Sequence, residues 1–171
     1  MFKRQTALFL VILCFAFQAL AGSASDYLEN KQADYVFRAQ LFAAPTALCT
    51  ALATAAPTDA TTGATLAEAA YTGYARGVLA PSASNWKGTG LETAGVSAGT
   101  SGTIKNNAII TIGTAATSGP TVVTHFVVLD GCTVGAGNVL YWAALTAQKT
   151  INNGDPAPTF AVDALTVQVD N

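Results

Sequence analysis

The sequence predicts a mainly β protein: a single antiparallel β-sandwich, jelly-roll-like, preceded by one N-terminal α-helix. Three observations point there. From Pro45 onward the chain runs in short segments rich in Val, Ile, Thr, Phe and Tyr, broken by Gly, Pro, Asn and Asp, the pattern of strands joined by turns. Charged residues make up only 11% of the 171-residue chain against 51% hydrophobic, so the surface is either Thr/Ser/Gly-rich or covered by partners. The one stretch with helical spacing lies at the start of the body.

Residues 1–24 read as a secretory signal peptide or N-terminal hydrophobic segment. Lys3 and Arg4 form a positive end, Thr6 to Leu20 an apolar run, and Ala19-Leu20-Ala21 or Gly22-Ser23-Ala24 offers small residues for cleavage after Ala21 or Ala24. An uncleaved membrane anchor is the competing reading, since the run is near the shortest that spans a bilayer. Cys14 follows Val11-Ile12-Leu13, which lacks the small residue a lipobox places before its cysteine.

The body, residues 25–171, reads as one domain long enough to bury a core. Ser25-Asp26 forms an N-cap signal with Glu29 near the first turn, and Tyr27, Leu28, Val36 and Phe37 give the apolar spacing of a helix over 25–41. Pro45 restarts the chain. Strands are expected at Ala47–Thr54, Tyr74–Ala80, Ala108–Ile112, Val122–Leu129, Val139–Leu145 and Phe160–Val169, with a weaker candidate near Lys149. Val122–Leu129 is apolar on both faces, which predicts a central strand. In Ala164–Val169 the side chains of Leu165, Val167 and Val169 alternate onto one face. Asp130-Gly131, Gly135–Asn138 and Asn152–Asp155 are turn formers that tolerate positive φ. Between Pro81 and Asn107 the density of Gly, Ser and Thr predicts an extended surface loop, in which Trp86 either folds back on the sandwich rim or anchors a contact.

Few residues speak for chemistry. Eight Lys and Arg stand against ten Asp and Glu, a formal charge of −2, and with Lys3 and Arg4 set aside the body carries −4, which excludes an electrostatic footprint for nucleic acid. The single histidine, His125, could be drawn with Asp130 and a serine as a hydrolase triad. No Gly-x-Ser-x-Gly elbow supports it, and both residues belong to a strand whose neighbours are all apolar, so the expectation is a protein that is not an enzyme. One histidine and two distant cysteines do not make a zinc site, and no Asp-x-Asp cluster supports calcium, so neither metal nor cofactor is expected. Once Cys14 leaves with the leader, Cys49 and Cys132 remain, either as a disulfide suited to an exported protein or as two buried free cysteines.

Several segments together carry a resemblance: Ser25-Asp26-Tyr27-Leu28-Glu29-Asn30-Lys31, Ala44-Pro45-Thr46, Pro57-Thr58-Asp59, Gly73-Tyr74-Ala75-Arg76, Asn85-Trp86, Val123-Thr124-His125-Phe126 with Asp130, Ala144-Leu145-Thr146 with Lys149-Thr150, Asn153-Gly154-Asp155 and Ala164-Leu165-Thr166. In that order they resemble a family of small tailed-phage proteins usually labelled phage tail fibre protein or virion structural protein. The match runs from Ser25 to the end of the chain. The resemblance implies a compact β-structured virion component with an N-terminal helix and no catalytic residues. The leader and the cysteine pair depart from it, and favour an alternative: a secreted, self-polymerising subunit of a cell-surface filament or sheath.

The expected function is therefore a structural subunit of a repeated assembly, in the virion or outside the cell. Its partners would be copies of itself, other virion proteins or host surface glycans. Low charge removes repulsion between subunits, and Thr- and Ala-rich strands lose little side-chain entropy on packing. Candidate assembly contacts are Tyr27, Leu28, Tyr35 and Phe37 on the helix, Trp86, and whichever of Tyr141 and Trp142 faces outward. A carbohydrate-binding adhesion module is the third class, with Trp86, Tyr141 and Trp142 as stacking candidates. Adjacent strand residues point to opposite faces, so Tyr141 and Trp142 fit an interface better than a platform.

Overall fold

The structure, a computed structural model, describes residues 24–90, 96–98 and 102–169. The leader up to Ser23, with Cys14, and Leu91 lie outside the described residues. One helix, α1 (Asp26–Arg38), is followed by strands β1 (Cys49–Ala53), β2 (Gly77–Val78), β3 (Trp86–Lys87), β4 (Thr103–Asn106), β5 (Ile110–Thr111), β6 (Thr121–Leu129), β7 (Val139–Ile151), β8 (Thr159–Phe160) and β9 (Thr166–Gln168). The protein is thus mainly β with one helix, and the strand pairings are antiparallel.

Three sheets result, ordered β2-β1-β6-β7, β3-β4-β9 and β5-β8. β6 lies in the middle of the largest, as its two apolar faces predict. Alternation along the strands divides the core in two. Leu52 of β1 and Phe126 and Val128 of β6 join Ile110, Ile112, Ile151 and Leu165 in the main cluster, between the large sheet and the smaller ones. Ala51, Ala53, Val127, Leu129 and Val139 form a second cluster on the opposite face. Each fully buried Val, Leu or Ile contributes about 1.5–3 kcal/mol.

Several expected boundaries are corrected. The helix ends at Arg38 rather than Leu41, because Ala39 adopts a left-handed conformation with φ 52° and closes the last turn. The expected strand from Tyr74 contracts to β2 because the chain turns on either side of it. At Gly77 a Cβ would lie 2.6 Å from Ile110 Cγ2 and 2.7 Å from the Thr111 carbonyl oxygen, so glycine lets β2 approach β5. The segment 81–107 is not a plain loop, since it contains β3 and β4, paired through Trp86 with Asn106 and Lys87 with Lys105. β7 is longer than expected and absorbs the weak candidate near Lys149. It spends residues 145–148 opposite the single residue Thr124 of β6, a bulge that keeps Val123 and Phe126 in one core. The expected strand Phe160–Val169 is broken into β8 and β9 by Asp163, which sits at φ 64° in a turn.

Candidate assembly surface

The helix is fixed to the sheet at its first turns only. Ser25 is its N-cap: the Oγ accepts from the Leu28 amide at 3.3 Å and also donates to the Val139 carbonyl. The Ser25 amide donates to the Leu140 carbonyl at 3.1 Å and that of Asp26 to the Asp59 carbonyl at 2.9 Å, while Ala24 bridges Tyr141 on the outer edge of β7. Leu28, 4% exposed, is buried beneath this turn. One turn on, Gln32 Nε2 donates to the Tyr141 hydroxyl at 3.5 Å.

Past that point the apolar residues of α1 are uncovered among the described residues: Tyr35 is 59%, Val36 67% and Phe37 86% exposed, and Leu41, three residues beyond the helix, is 92% exposed. The Arg38–Asp34 ion pair at 2.9 Å lies in solvent and adds only a few tenths of a kcal/mol.

Beside the helix, the large sheet and the β3-β4-β9 sheet separate to leave an apolar groove of about 420 Å³, lined among others by Leu48, Trp86, Ile104, Tyr141, Val167 and Val169. Trp86 is half-buried and its indole Nε1 donates to the Leu79 carbonyl at 3.3 Å, which fixes the ring at the groove. Burial pushes the Tyr141 hydroxyl pKa up, opposed by the hydrogen bond from Gln32. Trp142 turns to the other face and packs on the second core cluster.

The structure therefore divides the residues singled out from sequence. Tyr35 and Phe37 present free apolar surface. Trp86 and Tyr141 meet in the groove. Leu28 anchors the helix, Tyr27 is half-buried, and Trp142 is separated from Tyr141 by the sheet. His125 and Asp130 are not brought together. His125 Nδ1 bonds Thr124 Oγ1 at 2.8 Å, whereas Asp130 accepts from the Asn138 amide at 2.6 Å and its side chain at 2.8 Å.

Sequence reading missed the polar interior. Arg76, 4% exposed, donates to both oxygens of Glu68 at 2.8 Å and to the carbonyls of Gly131 and Ala136 at 2.6 and 2.8 Å. Tyr74 donates to Glu68 at 2.6 Å and accepts from the Leu52 amide at 3.2 Å. Burial and then Glu68 push the Tyr74 pKa far above its ordinary value. A disulfide joins Cys49 to Cys132 in the same turn, Cα to Cα 5.2 Å. Asn106, fully buried, donates to the Ala108 and Ala161 carbonyls at 2.9 and 2.7 Å and accepts from the Leu165 amide at 2.8 Å. A lone Arg and a lone Glu between apolar residues in so charge-poor a chain was the available signal.

Among the described residues no group of three or more His, Cys, Asp and Glu could hold a metal ion, and no helix is long and apolar enough to cross a membrane. Fold and surface together define an antiparallel β-domain whose charged and polar groups are used for holding turns, with apolar surface left outside. The family described as Podophage GP4 fiber I protein gp80 matches residues 23–168, and the chain belongs to this family of phage fibre proteins. Membership shows the tail-fibre resemblance read from Ser25 onward, and supports a virion structural protein. No curated protein matches the chain.

Proposed function

We propose that this chain is a repeating structural subunit of a phage fibre, located in the virion and assembled through contacts between copies of itself and with other virion proteins. The observation that carries this reading is the uncovered end of α1 and the residues just after it, where Tyr35, Val36, Phe37 and Leu41 are all more than half exposed in a chain of so few charges. Contiguous exposed apolar surface marks an interaction site, and aromatic side chains dominate the energetics of such sites. Family membership supports the same reading from an independent direction.

The test is the mass of the purified chain in solution by light scattering, with electron microscopy of concentrated samples. The wild type is expected as an oligomer or fibrous particle. The triple variant Tyr35→Ser, Val36→Ser, Phe37→Ser is expected as a monomer with unchanged circular dichroism. A wild type that stays monomeric at high concentration overturns self-assembly.

A further inference from the structure

We propose that the turn between β7 and β8 is a self-processing site, at which the Asp155 carboxyl group cuts its own bond to Pro156 under mildly acid conditions. The inference stands apart from the assembly reading, since it uses neither α1 nor the groove beside Trp86.

The segment Asn152-Asn153-Gly154-Asp155-Pro156 sets two chemically labile pairs side by side. In Asn153-Gly154 the group that would attack the asparagine side chain is the Gly154 amide nitrogen. That nitrogen is occupied, donating to the Ala116 carbonyl at 2.8 Å. In Asp155-Pro156 the leaving nitrogen belongs to a tertiary amide, which carries no N–H and takes up a proton more readily than an ordinary peptide nitrogen.

The fold restrains the first pair and prepares the second. The Ala116 amide donates to the Asp155 carbonyl oxygen at 2.9 Å, so a fixed dipole points at the atom on which negative charge develops when that carbonyl is attacked. The Asp155 carboxyl group is tethered through Oδ2, which accepts from the Asn152 amide at 2.7 Å and from the Asn152 side chain at 3.3 Å. Among the described residues Oδ1 has no hydrogen-bond partner, which leaves it as the nucleophile. The bond borders a cleft of about 370 Å³ lined by Lys149, Asp155, Pro156 and Pro158 among others, and Pro156 is exposed, so water reaches it. Lys149 is the one other charged group on this cleft, and the segment 112–118 packed against the turn carries none.

In the step itself Oδ1 bonds to the Asp155 carbonyl carbon and the bond from that carbon to the Pro156 nitrogen breaks, the nitrogen leaving with the proton of the carboxyl group. Water then opens the cyclic anhydride. The products are a chain ending in Asp155 with two carboxyl groups and a peptide 156–171 with a free proline amine; one water is consumed and nothing is oxidised or reduced. The peptide stays seated, because β8 remains paired with β5, β9 with β4, and Leu165 is fully buried in the main cluster. Cutting therefore turns the last two strands into a separate, exchangeable piece without opening the core.

The experiment holds the full chain at about pH 4, near the ordinary carboxyl range, both natively and in urea, and follows each sample by denaturing mass spectrometry. Neither cysteine of the disulfide lies beyond the cut, so the piece 156–171 separates by mass. The native chain is expected to yield it at least about tenfold faster than the unfolded chain, as a fixed donor at the attacked carbonyl requires. Asp155→Glu, whose longer arm closes a larger ring, and Pro156→Ala, which restores an ordinary amide, are each expected to slow the native reaction at least about tenfold with circular dichroism unchanged. Equal rates in the native and unfolded chain overturn the site, a comparison that needs no substitution. Cleavage that either folded variant leaves at the wild-type rate overturns it as well.

Discussion

The interior of the β-domain and the helix in front of it use side chains in opposite ways. In the domain, Arg76 and Glu68 are withdrawn from water and the guanidinium donates to a carboxylate and to turn carbonyls, while a disulfide fastens the same turn to β1. In α1, five of thirteen residues are charged and face solvent, yet Tyr35, Val36 and Phe37 are left uncovered. The two regions divide the labour. Buried polar groups specify one arrangement of the turns, and exposed apolar groups are what the chain keeps for another molecule.

The largest effect on this contrast is expected from Arg76→Ala. Removing one member of a buried pair strands the Glu68 charge and two carbonyls, and a loss of about 3–5 kcal/mol is expected in urea unfolding. Replacing both partners, Arg76→Met with Glu68→Leu, should recover most of that loss, because no charge is then stranded. Opening the disulfide by Cys49→Ser and Cys132→Ser should cost about 4 kcal/mol, given the 83-residue separation it closes.

A third effect is confined to alkaline pH. The Tyr74 pKa is raised in the fold above its ordinary 10.0, so this neutral hydroxyl favours the folded state fully below about pH 10. Stability should fall as pH rises past 10, with a limiting slope of about 1.4 kcal/mol per unit from this group. Tyr74→Phe should reduce that slope while costing about 1 kcal/mol at neutral pH for the lost hydrogen bonds. An alkaline unfolding slope that the substitution leaves unchanged would remove Tyr74 from the account.

The smallest stability effect belongs to the helix tip, where the two regions differ most. Phe37→Ala should shift the unfolding free energy by less than about 0.5 kcal/mol while lowering association. A core-like loss of stability on that substitution would mean that the tip belongs to the folded unit.

Much of this fold was legible in the sequence. The two apolar faces of Val122–Leu129 placed β6 in the middle of its sheet, and Ser25 announced the cap it forms. The segment 81–107 was illegible because β3 is only two residues long and β4 carries Asn106 where alternation would require an apolar residue; Asn106 is buried as a hydrogen-bonding hub rather than as a hydrophobe. The break at Asp163 was hidden because a left-handed aspartate leaves no hydrophobic trace. Of the assembly surface, the aromatic residues of the helix could be named in advance. The meeting of Trp86 with Tyr141 could not, since they lie far apart in the chain and only the packing of two sheets brings them to one groove.

The position of the disulfide also sets how the domain responds to pulling. Tension applied along α1 would reach the sheet through Ala24 and Ser25, a few bonds at one margin that break in succession, so the helix should peel away at low force. Chain drawn out beyond that meets a covalent lock between Cys49 and Cys132, which withholds 83 residues, about 280 Å of extended length, from the stretch. A thread built of such units would give at its joints and keep its beads intact.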